Sequence, residues 1–154
     1  MKIQINTEKN IVMLSFVIVF CSLFKSCVAP PDYSDGLLEN LPAVVNEEDF
    51  FSLSIFGNDF NDSLEWELEM SLLESDILLT TFVIKDLNVL SSDSSSLIMT
   101  MDLGDTIFNA IILNDMVFTS KDSIKLIGIP KNISLYGDNF TGRLEYQLIK
   151  NPSL

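Results

Sequence analysis

The sequence predicts an all-β chain, a single antiparallel β-sandwich of about seven or eight strands, with a small closed β-barrel as the alternative. Three observations carry that prediction. Apolar and polar residues alternate without a break from Leu64 to Leu72, the period-two signature of a half-buried strand. Short runs rich in Ile, Val, Leu, Phe and Thr recur along the chain, separated by clusters of Gly, Asn, Asp and Ser. No segment sustains a helical period, and no internal repeat is visible.

Length and composition set the outer bounds. The chain has 154 residues, of which 47% are hydrophobic, enough to build one real core. Nine basic residues stand against 22 acidic ones, for a formal net charge of −13. No basic run lies beyond the extreme N-terminus, which argues against nucleic acid and against an anionic lipid surface as partners. The chain has no histidine. It therefore lacks the usual general base and the commonest metal ligand, which excludes serine and cysteine triads and His-based zinc sites in their usual forms. A non-enzymatic protein without a cofactor is the expectation.

The first element is residues 1–26. Lys2 and Lys9 precede the uncharged run Ile11–Phe24, which Lys25 ends. That is the layout of a secretory signal peptide, and the run falls short of the roughly 20 residues a transmembrane helix needs. The residues that follow, Leu23-Phe24-Lys25-Ser26-Cys27, resemble the lipobox of bacterial lipoprotein precursors of the Bacteroidota type. Phe24 stands where the strict box has Leu, and Lys25 where it has a small residue. The resemblance implies that the Cys27 sulfur receives a diacylglycerol, that residues 1–26 are removed, and that the mature protein is anchored in the cell envelope. The outer membrane is the implied location, and Val28-Ala29-Pro30-Pro31 intervening before Asp32 favours the periplasmic face over the surface. An ordinary signal peptide cut after Ala29 is the competing reading.

Removing residues 1–26 also removes Lys2, Lys9, Lys25 and Glu8, which leaves the rest of the chain still more acidic. Cys21 lies within the apolar leader, so Cys27 alone would survive processing, and the fold must be stable without an internal disulfide.

Residues 27–46 read as an acylated tether. Pro30 and Pro31 favour an extended course, and the segment could stretch to about 60 Å at roughly 3.3 Å per residue. Its second half, Leu37 to Val45, is apolar enough to pair with the domain as an edge segment or to dock on a partner, although Pro42 argues against a central strand.

Residues 47–154 form the expected β-sandwich domain. Strands are expected at Phe50–Phe56, Leu64–Leu72, and near 77–90, 97–103, 106–113, 115–119, 123–129 and 142–149. Loops are expected at 57–62, Ser91–Ser96, Thr119–Asp122 and Tyr136–Asn139. Ile77–Ile84 and Ile107–Leu113 are apolar on both faces. They are either central strands with a covered outer face, or they expose an apolar patch for a protein or ligand.

Few residues stand out as sites. Asp59 to Glu65 carries oxygen side chains at alternate positions, as calcium loops do. However, Leu64 and Met70 occupy the places where such a loop needs glycine and glutamate, so a hairpin turn is expected and no metal site. Asp62-Ser63-Leu64, Asp105-Thr106-Ile107 and Asp122-Ser123-Ile124 resemble the Asp-Ser/Thr-apolar acceptor of Bacteroidota-type O-glycosylation, which would modify Ser63, Thr106 and Ser123. A strand starting after an Asp-Ser turn yields the same pattern. Asn61, Asn132 and Asn139 head Asn-X-Ser/Thr sequons, which matter only in a eukaryotic host. Carboxylates are too abundant for any pair to indicate a glycosidase.

Phe50, Phe51, Trp66, Tyr136, Phe140 and Tyr146 supply either core or a stacking platform. The expected function is that of a membrane-tethered accessory or interaction subunit of an envelope complex. The alternative is a lipoprotein that binds a lipid or carbohydrate ligand, and a carboxylate hydrolase is a distant third.

Overall fold

Alternation decides which face of each strand is buried, and two sheets pack their apolar faces together. The computed structural model describes residues 36–89 and 94–152. Nine strands run β1 (Ala43–Asn46), β2 (Phe50–Phe60), β3 (Ser63–Glu67), β4 (Ile77–Asn88), β5 (Ser96–Thr100), β6 (Thr106–Ile111), β7 (Met116–Ser123), β8 (Asn132–Tyr136) and β9 (Phe140–Lys150), with one helical turn, α1 (Ile124–Ile127), between β7 and β8. A five-stranded sheet has the order β1-β2-β9-β4-β7, and a four-stranded sheet the order β3-β8-β5-β6. Every pairing within both sheets is antiparallel. The fold is the expected sandwich; the sheets do not close into a barrel.

The core follows from the register. Phe51, Leu53 and Ile55 of β2, Leu144, Tyr146 and Leu148 of β9, and Leu78, Phe82 and Ile84 of β4 are fully buried. They meet Leu97 and Met99 of β5 and Ile133 and Leu135 of β8 from the opposite sheet. The aromatic rings pack edge-on at the centre: Phe82 lies 5.8 Å from Phe108 and 6.2 Å from Tyr146. Such geometry sets the positive ring edge against the negative face.

Four expectations need correction. The alternation from Leu64 to Leu72 governs burial throughout, with Leu68, Met70 and Leu72 all buried, but the ladder with β8 stops at Glu67. Beyond it the chain leaves the sheet, held by Asn46 of β1, whose amide donates to the Glu67 carbonyl and accepts from the Glu69 N–H. Residues 123–129 are not a strand of their own: Ser123 ends β7 and Ile124–Ile127 form the turn α1, and the strand the pattern missed is β8, residues 132–136. Thr119–Asp122 is not a loop but the end of β7. Its polar composition reflects an edge strand, with Thr119 and Lys121 facing solvent.

The last correction concerns the loop expected at 57–62: β2 runs on to Phe60, and only Asn61 and Asp62 separate it from β3. Strand β6 lies at an edge and leaves Ile111 exposed, the second of the two readings of its apolar faces. Strand β4 is central, as one reading of its two apolar faces required. The apolar second half of the expected tether also pairs as an edge: Ala43–Asn46 lines up with Phe51–Ser54, immediately after Pro42.

Loops gather at two poles. At one, β2 ends beside the start of β9, and the Asn61 side chain donates to the Asn139 side-chain oxygen at 2.7 Å and accepts from the Asn139 backbone N–H at 3.0 Å. The chain joins the domain here, since Asn40 N–H donates to the Phe56 carbonyl and its side chain bonds to Asn58 in both directions. The other pole holds the β5–β6 turn, α1, the segment 68–76 and the end of β9.

Candidate functional site

Two hollows lie on either side of α1. The larger is a groove of about 670 Å³ at the pole away from Asn40, lined by Glu74, Met101, Asp102, Leu103, Asp105, Lys125 and Ile129, among others. The smaller is a cleft of about 280 Å³ between the two sheets, where the edge strands β6 and β7 leave the sandwich open. Ile124 and Gly128 face the groove, while Ile127 faces the cleft, so this single turn forms the wall between them.

The groove is built by three segments fastened to one another. The β5–β6 connection closes tightly, with Met101 N–H donating to Asp105 O and Gly104 N–H to Met101 O. Gly128 meets Met101 so closely that a Cβ there would stand 2.3 Å from the methionine sulfur. Its backbone, at φ 89° and ψ 173°, lies in a region that is almost exclusively glycine's. The third segment is tied in by Asp76, whose carbonyl accepts the Ile124 N–H.

Asp76 is itself a buried anchor. Its carboxylate accepts from Asn151 and from the Leu73 N–H, each at 2.8 Å, and lies 3.4 Å from the Lys150 ammonium. The Asn151 and Leu73 hydrogen bonds, with Lys150 adding to them, hold its carboxyl below the usual carboxylate range against the opposing effect of burial.

The surface of this pole combines apolar side chains with acid. Leu103 at the tip of the β5–β6 turn is 91% exposed and Leu126 on α1 is 84% exposed, with Leu73 and Ile129 also open to solvent. Glu74, Asp102 and Asp105 face the groove against one cation, Lys125. Nearby, Lys131 pairs with Glu67 at 2.7 Å, and that bond lowers the Glu67 pKa and raises that of Lys131. Exposed apolar residues grouped in this way mark contact sites on soluble domains.

The cleft has a different chemistry. Its walls are Met99, Ile107, Phe108, Phe118 and Ile127, and the two phenylalanine rings lie 5.5 Å apart. Its polar groups are Thr80, Ser120 and Asp122. Ser120 and Asp122 are on the inner face of β7, and the Ser120 hydroxyl donates to the Asp122 carboxylate. Among the described residues, no lysine or arginine pairs with Asp122.

The residues singled out in the sequence are dispersed. Cys27 lies outside the described residues, as do residues 91–93 of the serine-rich loop. Ser63 and Thr106 are exposed first residues of β3 and β6, at opposite poles. Ser123 is half-buried at the end of β7, where it precedes α1. The Asp59–Glu65 segment is not the expected hairpin turn: Asp59 and Phe60 end β2, Ser63–Glu65 begin β3, and the two strands lie in different sheets. Its side chains serve this crossing, with Asp59 accepting from the Thr141 hydroxyl, Asn61 engaging Asn139 and Asp62 accepting the Ser63 N–H. Among the described residues, no group of three or more acidic or cysteine side chains is placed to hold a metal ion.

Of the aromatics, Phe51, Phe140 and Tyr146 are core and Trp66 packs against it, while Tyr136 is exposed. Asp105, Ile107, Asp122 and Ile124 belong to the Asp-Ser/Thr motifs, and Thr80, Ile107 and Phe108 to the two-faced apolar runs, but nothing in the sequence grouped them around two hollows. One signal was present: Leu103 is an apolar residue beside the glycine of a tight turn, where a polar one is expected. No protein family matches the chain, and no curated protein does.

Proposed function

We propose that this protein is a non-enzymatic, lipid-anchored interaction subunit of the cell envelope, and that it contacts a protein partner through the acidic, leucine-rimmed groove beside α1. The leader and Cys27 support the anchoring. Two or more acyl chains carried at that residue would each bury many methylene groups at about 0.8 kcal/mol per group, enough for a stable attachment. The observation that carries the docking reading is the placement of the groove: Leu103 and Leu126 stand exposed at one pole, and the chain joins the domain through Asn40 at the other. The described chain therefore enters the domain at the pole opposite the groove, and that entry does not cover it.

The chemistry of the groove fits a segment that carries a basic residue next to an apolar one. Glu74, Asp102 and Asp105 outnumber Lys125, and opposite charge steers encounter while apolar contact holds it. The test is site-specific photo-crosslinking of the full chain in its native membrane. A crosslinker at Leu103 or Leu126 should give a discrete adduct, one at Asn61 should give none, and replacing Asp102 and Asp105 by Asn should weaken the adduct at Leu126. Equal adducts from both poles, or none from Leu103 and Leu126, would refute the reading.

A further inference from the structure

We infer that the cleft between β6 and β7 is a binding site for a small organic cation, an ammonium group carried on a compact apolar body. This site is separate from the docking groove and stands or falls independently of it. Its shape is that of a small-ligand pocket: about 280 Å³, concave, with apolar walls and a few convergent polar groups. Its polar end selects the charge. Asp122 projects from the inner face of β7, the side on which Phe118 and Met116 pack toward the core, and among the described residues Ser120 is its hydrogen-bond partner.

Asp122 is half-buried at the mouth of this cleft, where its carboxylate offers an ionic partner to a cation that enters. The rings of Phe108 and Phe118, 5.5 Å apart and tilted by 42°, line the same cleft, and aromatic faces attract cations. Carboxylate and aromatic faces favour the same sign of ligand.

The same features disfavour other ligands. A fatty acid would set its carboxylate against Asp122. A sugar would place several hydroxyls against Met99, Ile107 and Ile127, which can satisfy none of them. An inward charge on an edge strand also discourages edge-to-edge pairing, and that role makes no demand on a ligand, so a binding experiment separates the two.

Benzylammonium, benzyl alcohol and benzoate are suitable probes, sharing one ring and differing in charge. They would be titrated by calorimetry into the full-length protein held in neutral-lipid nanodiscs. Benzylammonium should bind at least tenfold more tightly than benzyl alcohol, and benzoate should not bind. Asp122→Asn should bring benzylammonium down to the level of the alcohol, while Asp102→Asn in the groove should change nothing.

Ile127→Phe, which fills the cleft without altering its charge, should abolish binding of both and keeps the test decisive if Asp122→Asn misfolds. Equal affinity for amine and alcohol, or amine binding that survives Asp122→Asn or Ile127→Phe, would overturn the inference. So would tighter binding of an acetylated, amidated lysine than of benzylammonium, since that would mark the cleft as a socket for a partner's side chain.

Discussion

The hydroxyl of Tyr146 in β9 donates to the sulfur of Met99 in β5 across 3.4 Å, a polar contact that spans the two sheets through the centre of the core. Both residues are essentially without solvent access. A thioether is a weak acceptor, so this phenol is buried at a cost that its ring packing must offset, against Phe51 at 6.4 Å and Phe82 at 6.2 Å.

It follows that the ring matters more than the hydroxyl. Tyr146→Phe should cost no more than about 1 kcal/mol at neutral pH, whereas Tyr146→Ala should cost about 3–5 kcal/mol. Alkaline pH should separate wild type from the phenylalanine variant. Burial pushes the Tyr146 phenol above its ordinary value of 10.0, so its contribution is intact below that value. As pH rises past it, the unfolded chain ionises first and stability is lost. Urea denaturation above pH 10 should show wild type losing stability more steeply than Tyr146→Phe.

Asp76 should produce the opposite dependence. Its carboxyl is held below the usual value of 3.8 by Asn151, the Leu73 N–H and Lys150, so its contribution is full above that value and fades as pH falls through the lower folded value. Asp76→Asn retains the size but puts an NH₂ group where two donors and an ammonium converge. The variant should melt several degrees below wild type at pH 7, and the gap should narrow as pH drops below about 3.8, as followed by circular dichroism.

The sequence disclosed burial better than pairing. The alternation in Leu64–Leu72 correctly assigned every inward side chain, yet it could not show that Glu67 ends the ladder, because an extended chain keeps its period after leaving a sheet. Strand β8 carried the same signal in miniature, with Ile133 and Leu135 inward between Asn132 and Tyr136, but it is only five residues long. Thr119–Asp122 resembled a loop because Ser120 and Asp122 are polar on the inner face, where an apolar residue is the rule. The interruption of the pattern is the cleft itself. The hollows were illegible for a further reason: Gly128 and Met101 are far apart in sequence, and only the folded chain reveals that they touch.

That contact makes Gly128 a sensitive position. Alanine there forces a side chain into backbone geometry that costs of order 1–3 kcal/mol, and its Cβ would also strike the Met101 sulfur at 2.3 Å. The methionine can swing aside and the backbone cannot. Gly128→Ala should therefore be destabilised in urea by about 1–3 kcal/mol, and pairing it with Met101→Ala should relieve the clash without relieving that backbone strain.

The anchoring proposal makes the most direct prediction. If Cys27 carries the lipid, intact mass spectrometry of the natively expressed protein should show a chain beginning at that residue with the mass of its acyl groups added. Cys27→Ser removes the thiol of the lipobox-like segment while leaving the apolar run Ile11–Phe24 in place. The variant should retain its uncleaved leader or be cut after Ala29, and in neither case carry lipid. A chain cut after Ala29 has no apolar attachment, so it should leave the membrane pellet for the soluble fraction at any salt concentration. Retention in the pellet that high salt reverses would instead mean that the protein is held electrostatically by a partner, since at 1 M salt exposed charges are screened beyond a Debye length of about 3 Å. A wild-type product beginning at Pro30 with no added mass would rule out acylation and leave a secreted domain.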